Sequence, residues 1–213
     1  MNFDEDLEQS QEERSIEIGF EPAPPAILLV DILMFTTIIK ACFNTTDKKI
    51  KAAQIEKILG AQDWIEHYKD KKTSRRVLSE AELIEHKHEL TTAVLLAKMN
   101  YDVVFAPKAM FQRTEKKFDV FLFRDTIIFK ADLKSVSSKN ADTIANRIKG
   151  GSEQATRVVI DITSDIEKKD LIDGLRSGVE RNHLIREVLL FYNSRFYRLP
   201  KDLILSKNIY QVL

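Results

Sequence analysis

The chain is expected to fold as an α/β protein in which a mixed central sheet is flanked by helices, with an N-terminal helical appendage. Three observations lead there. Helix-like and strand-like periodicities alternate from about residue 75 onward, and two alternating strands within 118–134 can close on each other as an antiparallel hairpin. An apolar strand, RVVIDI, then follows a helix end, which is how a crossover adds a strand in parallel beside the hairpin's second strand.

Composition narrows the class of protein. The 213 residues can build one cored domain with an appendage, and 44% hydrophobic with 31% charged residues excludes a disordered or fibrous chain. The overall net charge of +0 hides an asymmetry, because residues 1–21 carry eight acids against Arg14. That stretch has a net charge of −7 and the remainder +7, a basic body that suits a polyanionic ligand such as nucleic acid. Cys42 is the single cysteine, so no intramolecular disulfide can form and a reducing, cytoplasmic site of action is expected. Its apolar neighbours mark it as buried filler. No basic n-region or signal peptide opens the chain, and no apolar run is long enough for a membrane span.

In chain order, residues 1–21 are expected as an acidic flexible tail, either solvated or shielding a basic cleft as a nucleic-acid mimic. Residues 22–74 form the mainly helical appendage with its basic linker, and 75–213 the α/β domain. Pro22, Pro24 and Pro25 precede the most apolar run, 26–39, a buried helix or strand interrupted by Asp31. From Lys48 to Tyr68 a helical pattern runs through Ala52, Ile55, Ile58, Leu59, Gln62 and Ile65, followed by the polar linker KDKKTSRR. Ser79 and Glu82 have capping-box spacing and open a helix to about Met99, with Leu83, Leu90, Val94 and Ala97 inward and Glu89 at the margin of that stripe. Asn100 ends the helix, and YDVVFAP is a strand stopped by Pro107. Beyond the hairpin, a short amphipathic helix over 139–149 is interrupted by Gly150 and Gly151, and Gln154 stands just before RVVIDI. A helix near 166–175 and a terminal hairpin of EVLLFYN and RFYRL over Ser194 complete the chain.

The hairpin FDVFLFRDTIIFKADLKS carries the candidate chemistry. With a two-residue loop at Arg124 and Asp125, it pairs Phe123 with Thr126, Val120 with Phe129 and Asp119 with Lys130. One face is then apolar through Phe118, Val120, Leu122, Ile127, Phe129, Ala131 and Leu133. The other holds Asp119, Asp132 and Lys134 on one side of the sheet. Two carboxylates and a lysine on neighbouring strands suit metal-assisted phosphodiester cleavage: the carboxylates for Mg²⁺ or Mn²⁺, the lysine for the attacking water and the phosphate charge. The same spacing also suits an edge hairpin with solvated charges. His86 and His88 point to different sides of a helix and cannot share a metal, and His67 and His183 have no evident partner.

The order of helix with Glu89, strand, Asp119 strand, Asp132-Leu133-Lys134 strand, helix and strand resembles the PD-(D/E)XK nuclease superfamily. More narrowly, HELTTAVLLAKMNYDVVFAP, FDVFLF, ADLKS and SEQATRVVIDI resemble the CdiA C-terminal tRNase domain of contact-dependent growth inhibition toxins, over residues 80 to about 200. The resemblance implies Glu89, Asp119 and Asp132 as metal-binding carboxylates, Lys134 as catalytic lysine, Gln154 as a polar residue near the site, and Mg²⁺ or Mn²⁺ as cofactor. It also implies RNA, specifically tRNA, as substrate and a cognate immunity protein as partner. Two departures are visible: the first motif has Phe-Asp for Pro-Asp, and the acid before Lys134 is Asp where the toxin-like group more often has Glu. A DNA nuclease of repair or of a mobile element, and a non-catalytic nuclease-like or toxin-neutralising protein, remain open beside it.

Overall fold

Strands of alternating apolar residues, separated by short polar turns, assemble into one mixed sheet. The computed structural model describes residues 29–60, 64–80, 87–111 and 117–213. The expectations for the acidic tail 1–21, the proline cluster, Gln62, Glu82, Leu83 and His86 fall outside those residues.

The apolar run 26–39 enters helix α1 (Leu29–Asn44), and α2 (Lys48–Leu59) follows. Asp47 caps α2 by accepting from the amides of Lys49 and Ile50 at 2.8 and 3.1 Å, and Gly60 ends it. The helix expected to reach Tyr68 therefore stops at Leu59, and Ile65–Lys69 is strand β1. The expected linker KDKKTSRR is instead a tight turn into β2 (Arg76–Ser79). Asp70 holds it by accepting from the amides of Lys72 and Thr73 at 3.0 and 2.6 Å, and the Thr73 amide in particular lowers the Asp70 pKa. Arg75 then ties the turn to β3 (Asp102–Phe105) through Asp102 at 2.7 Å. Segment 22–74, expected as mainly helical, thus also contributes β1 to the sheet.

Ser79 closes β2, and α3 is described from Lys87 to Lys98. Asn100 ends it as expected: with φ 69, its amide reaches Ala97 O and the Tyr101 amide reaches Leu96 O, which satisfies the last carbonyls. Next come β4 (Val120–Arg124), β5 (Ile127–Val136), α4 (Ala141–Ser152), β6 (Arg157–Ile162), α5 (Lys168–Glu180), β7 (Glu187–Tyr192) and β8 (Arg195–Pro200). Short helices α6 (Lys201–Leu205) and α7 (Ile209–Val212) end the chain. Helix α4 runs through Gly150 and Gly151, which were expected to interrupt it. No helix among the described residues is long and apolar enough to cross a membrane.

The eight strands lie side by side in sequence order. Strands β2/β3, β5/β6 and β6/β7 are parallel and the other neighbours antiparallel, so the expected crossover from the hairpin to RVVIDI is present. On one face α3 packs its Leu90, Ala93, Val94 and Ala97 over Val103, Val120, Leu122, Phe129, Ala131 and Leu133. The other face has two separate helical covers. Helices α1 and α2 bring Phe35, Ile39, Ile55 and Ile58 onto Leu78, Val104, Phe121, Phe123 and Ile128. Helices α4 and α5 bring Ile144, Ile148, Leu171 and Leu175 onto Val136, Val158, Ile160 and Val188. Phe118 belongs under α1 and α2, not on the α3 face where strict alternation put it, and Ile127 is exposed.

Candidate active site

One face of β5 reads Ile128, Lys130, Asp132, Lys134, Val136. Ile128 lies under α1 and α2 and Val136 under α4 and α5, so the three charged residues between them fall at the seam of the two covers. A polar interval in a strand otherwise apolar on this face is costly unless its charges meet one another.

The hairpin register brings the acids together. The observed pairs are Val120 with Ala131, Leu122 with Phe129 and Arg124 with Ile127, two residues away from the expected register. The loop is Asp125-Thr126, and its first residue has φ 55, the left-handed conformation that a primed hairpin turn needs and that Asp accepts far better than Arg124 would. A shift of two preserves the faces, so Asp119 and Asp132 stay on one side as expected. It replaces Lys130 with Asp132 as the residue across from Asp119. Past the end of β4, Asp119 still holds the sheet: its carbonyl accepts from Ala106 N at 2.9 Å and its Oδ2 from Leu133 N at 2.7 Å.

Asp132 is 0% exposed. Its Oδ2 lies 2.6 Å from Lys134 Nζ as an ion pair, the one cation among the described residues that meets this buried oxygen. Oδ1 takes the amide of Gln154 at 2.7 Å when that amide is oriented with its nitrogen toward its two neighbouring acceptors, the other being Lys117 O. Burial raises the Asp132 carboxyl first and the charge of Asp119 raises it further; Lys134 opposes both, and the pKa stands at about 7. Two neighbouring carboxylates, one of them buried with an oxygen that the Lys134 ammonium approaches at 2.6 Å, offer the hard oxygen donors that a divalent cation prefers.

Helix α4 supplies the floor. A Cβ on Gly151 would stand 2.8 Å from Asp132 Oδ2 and 2.7 Å from Val158 Cγ2, so only glycine lets the helix backbone close on the carboxyl. Gly151 is the site residue the sequence did not flag as functional. The signal was its place on the inward stripe, three positions after Ile148.

Of the expected residues, Asp119, Asp132, Lys134 and Gln154 come together. Glu89 does not join them: it sits in the first turn of α3, on the helix that covers the opposite face of the sheet from the Asp132 side chain. It is 17% exposed and 3.8 Å from His88 Nε2. Among the described residues no three His, Cys, Asp or Glu side chains are grouped to hold a metal, so the acids form a pair and not the expected trio. His67, expected to lack a partner, has its Nε2 2.7 Å from Ser79 Oγ. Cys42 is fully buried beside Gln54, and burial raises its pKa.

The chain matches no protein-family model, and neither a curated protein nor a solved structure matches it.

Proposed function

We propose that this chain is a metal-dependent endonuclease of the PD-(D/E)XK kind, acting on nucleic-acid phosphodiester bonds. The observation that carries the proposal is the buried Asp132–Lys134 pair on β5 with Asp119 across from it, at the seam between two helical covers. The order α3, β3, β4, β5, α4, β6, with β3 to β5 antiparallel and β6 parallel to β5, supports it as the core arrangement that the resemblance implies.

Asp119 and Asp132 are the residues that would hold Mg²⁺ or Mn²⁺, whose chemistry is to polarise the phosphate and to make water acidic enough to attack. The protein's own groups do the positioning. Leu133 N fixes Asp119, Gln154 fixes Asp132, and Gly151 lets the backbone of α4 close on Asp132. Lys134, 20% exposed, is the group that would release Asp132 to orient the attacking water and offset charge at the phosphate. RNA is the first substrate to test, by resemblance to the tRNase domains; a cognate immunity protein would follow from the same likeness.

A second, non-catalytic function is favoured by one fact: Lys134 already neutralises Asp132 at 2.6 Å. The deciding experiment incubates the protein with total RNA and with plasmid DNA, each with Mg²⁺, with Mn²⁺ and with chelator. Cleavage that needs the metal and disappears in Asp132→Asn and Lys134→Met supports the nuclease. Calorimetry should find metal binding lost in the first variant and retained in the second. Intact substrates, or full activity in Asp132→Asn, would remove it.

A further inference from the structure

Beside the carboxylate pair, the structure leaves an aromatic ring open to solvent. Phe43, at the end of α1, is 41% exposed, although Phe35, Ile39 and Cys42 of the same helix are buried beneath it. Lys130 of β5 places its ammonium 5.7 Å from the Phe43 ring centre and 4.9 Å from that of Phe118. Lys130 is exposed and precedes Asp132 by two positions on the same strand face, about 7 Å along the strand. Lys40, also exposed, lies one turn before Phe43 on α1, and exposed Lys117 lies beside Phe118. The seam is thus bordered by the Phe43 ring and by the Lys130 ammonium, on the strand face that carries Asp132.

We propose that Phe43 and Lys130 form a subsite for one unpaired nucleotide of the substrate, the base stacking on Phe43 and the adjoining phosphate taking Lys130. The inference rests on the nuclease assignment and deepens it, since it makes the substrate single-stranded or locally opened at the cleaved position. A base has an apolar face that matches an exposed phenyl ring, whereas in a duplex that face is already stacked on its neighbours. Lys130 is held near two rings and pairs with no acid among the described residues, so its charge can pass to a phosphate while its stem stays packed.

The test measures binding, not turnover, and so stands apart from whether cleavage is seen. Fluorescence anisotropy in chelator would follow the intact protein with short labelled single strands of RNA, the same sequence as DNA, and the DNA duplex. Phe43→Ala is expected to weaken single-strand binding about tenfold, with Phe43→Trp restoring it and the duplex unaffected. Lys130→Ala is expected to lower the salt dependence of single-strand binding by about 0.7 in log–log slope, the loss of one phosphate contact. A loss on RNA or on DNA supports the subsite, and the strand that loses more names the sugar. Unchanged single-strand affinity in Phe43→Ala with an unchanged melting temperature would overturn it. An equal loss on the duplex would overturn it as well.

Discussion

Asp132 concentrates the cost of a buried charge in one side chain. Its carboxyl stands at about 7 against an ordinary 3.8, so between those values the folded protein binds a proton that the unfolded chain does not. The stabilisation from that proton is fully present below about pH 4 and is lost as pH rises through about 7. Stability should fall with rising pH by up to ~1.4 kcal/mol per unit across this window. Urea unfolding in chelator should find this slope in the wild type and a flatter one in Asp132→Asn, which should be the more stable protein at about pH 8. Mg²⁺ or Mn²⁺ added there should raise the wild-type melting temperature and leave the variant's unchanged. Equal slopes would mean that the proton is not held at Asp132. The two adjacent glycines of α4 give a second contrast. Gly151→Ala drives a methyl against Asp132 and Val158 and should cost ~1–3 kcal/mol, whereas Gly150→Ala meets nothing within 4 Å and should gain ~0.5–1 kcal/mol of helix propensity. Thermal denaturation of the pair measures both.

At the scale of elements, the hairpin turn decides which residue faces Asp119. Because Asp125 holds φ 55, Asp125→Gly should be within a few tenths of a kcal/mol of wild type, while Asp125→Val, β-branched and strained at that φ, should lose ~1–2 kcal/mol. The 3.7 Å contact of Asp125 with Arg75 involves an exposed carboxylate and adds little. Equal stability of the two variants would show that the loop relaxes and that the turn does not set the register. The terminal hairpin illustrates the same control, with Asn193 and Ser194 both at positive φ between β7 and β8.

For the whole molecule, the seam exists only because two helical covers share one sheet face. Phe35 of α1 contacts the rings of Trp64 and Phe121 edge-on, at 5.3 and 5.8 Å between centres. Removing residues 1–60 should therefore expose Leu78, Val104, Phe121, Phe123 and Ile128 together. The shortened chain is expected to bind a hydrophobic dye and to lose cooperative unfolding. A cooperative, dye-silent transition at the full-length temperature would show that α1 and α2 are dispensable to the core.

What the sequence alone determined follows from patterns that repeat locally. Alternation in FDVFLF and TIIFKADLKS places Asp119, Asp132 and Lys134 on one side in the expected and in the observed register alike, since a shift of two residues keeps every side chain on its face. The helix stop at Asn100 and the parallel placement of RVVIDI were legible for similar reasons, each resting on a turn residue or a short spacing, whereas Gln154 beside the acids followed only from the family resemblance. Tertiary structure decided the rest. The apolar face that Phe121, Phe123 and Ile128 present alongside the acids is filled by α1 and α2, whose distance along the chain leaves no mark on the hairpin's own pattern. Glu89 looked inward by helical periodicity, yet periodicity does not say which face of a sheet a helix will cover, and α3 covers the face away from Asp132. Burial of Asp132 and the close approach of Gly151 likewise depend on contacts between segments that only folding brings together.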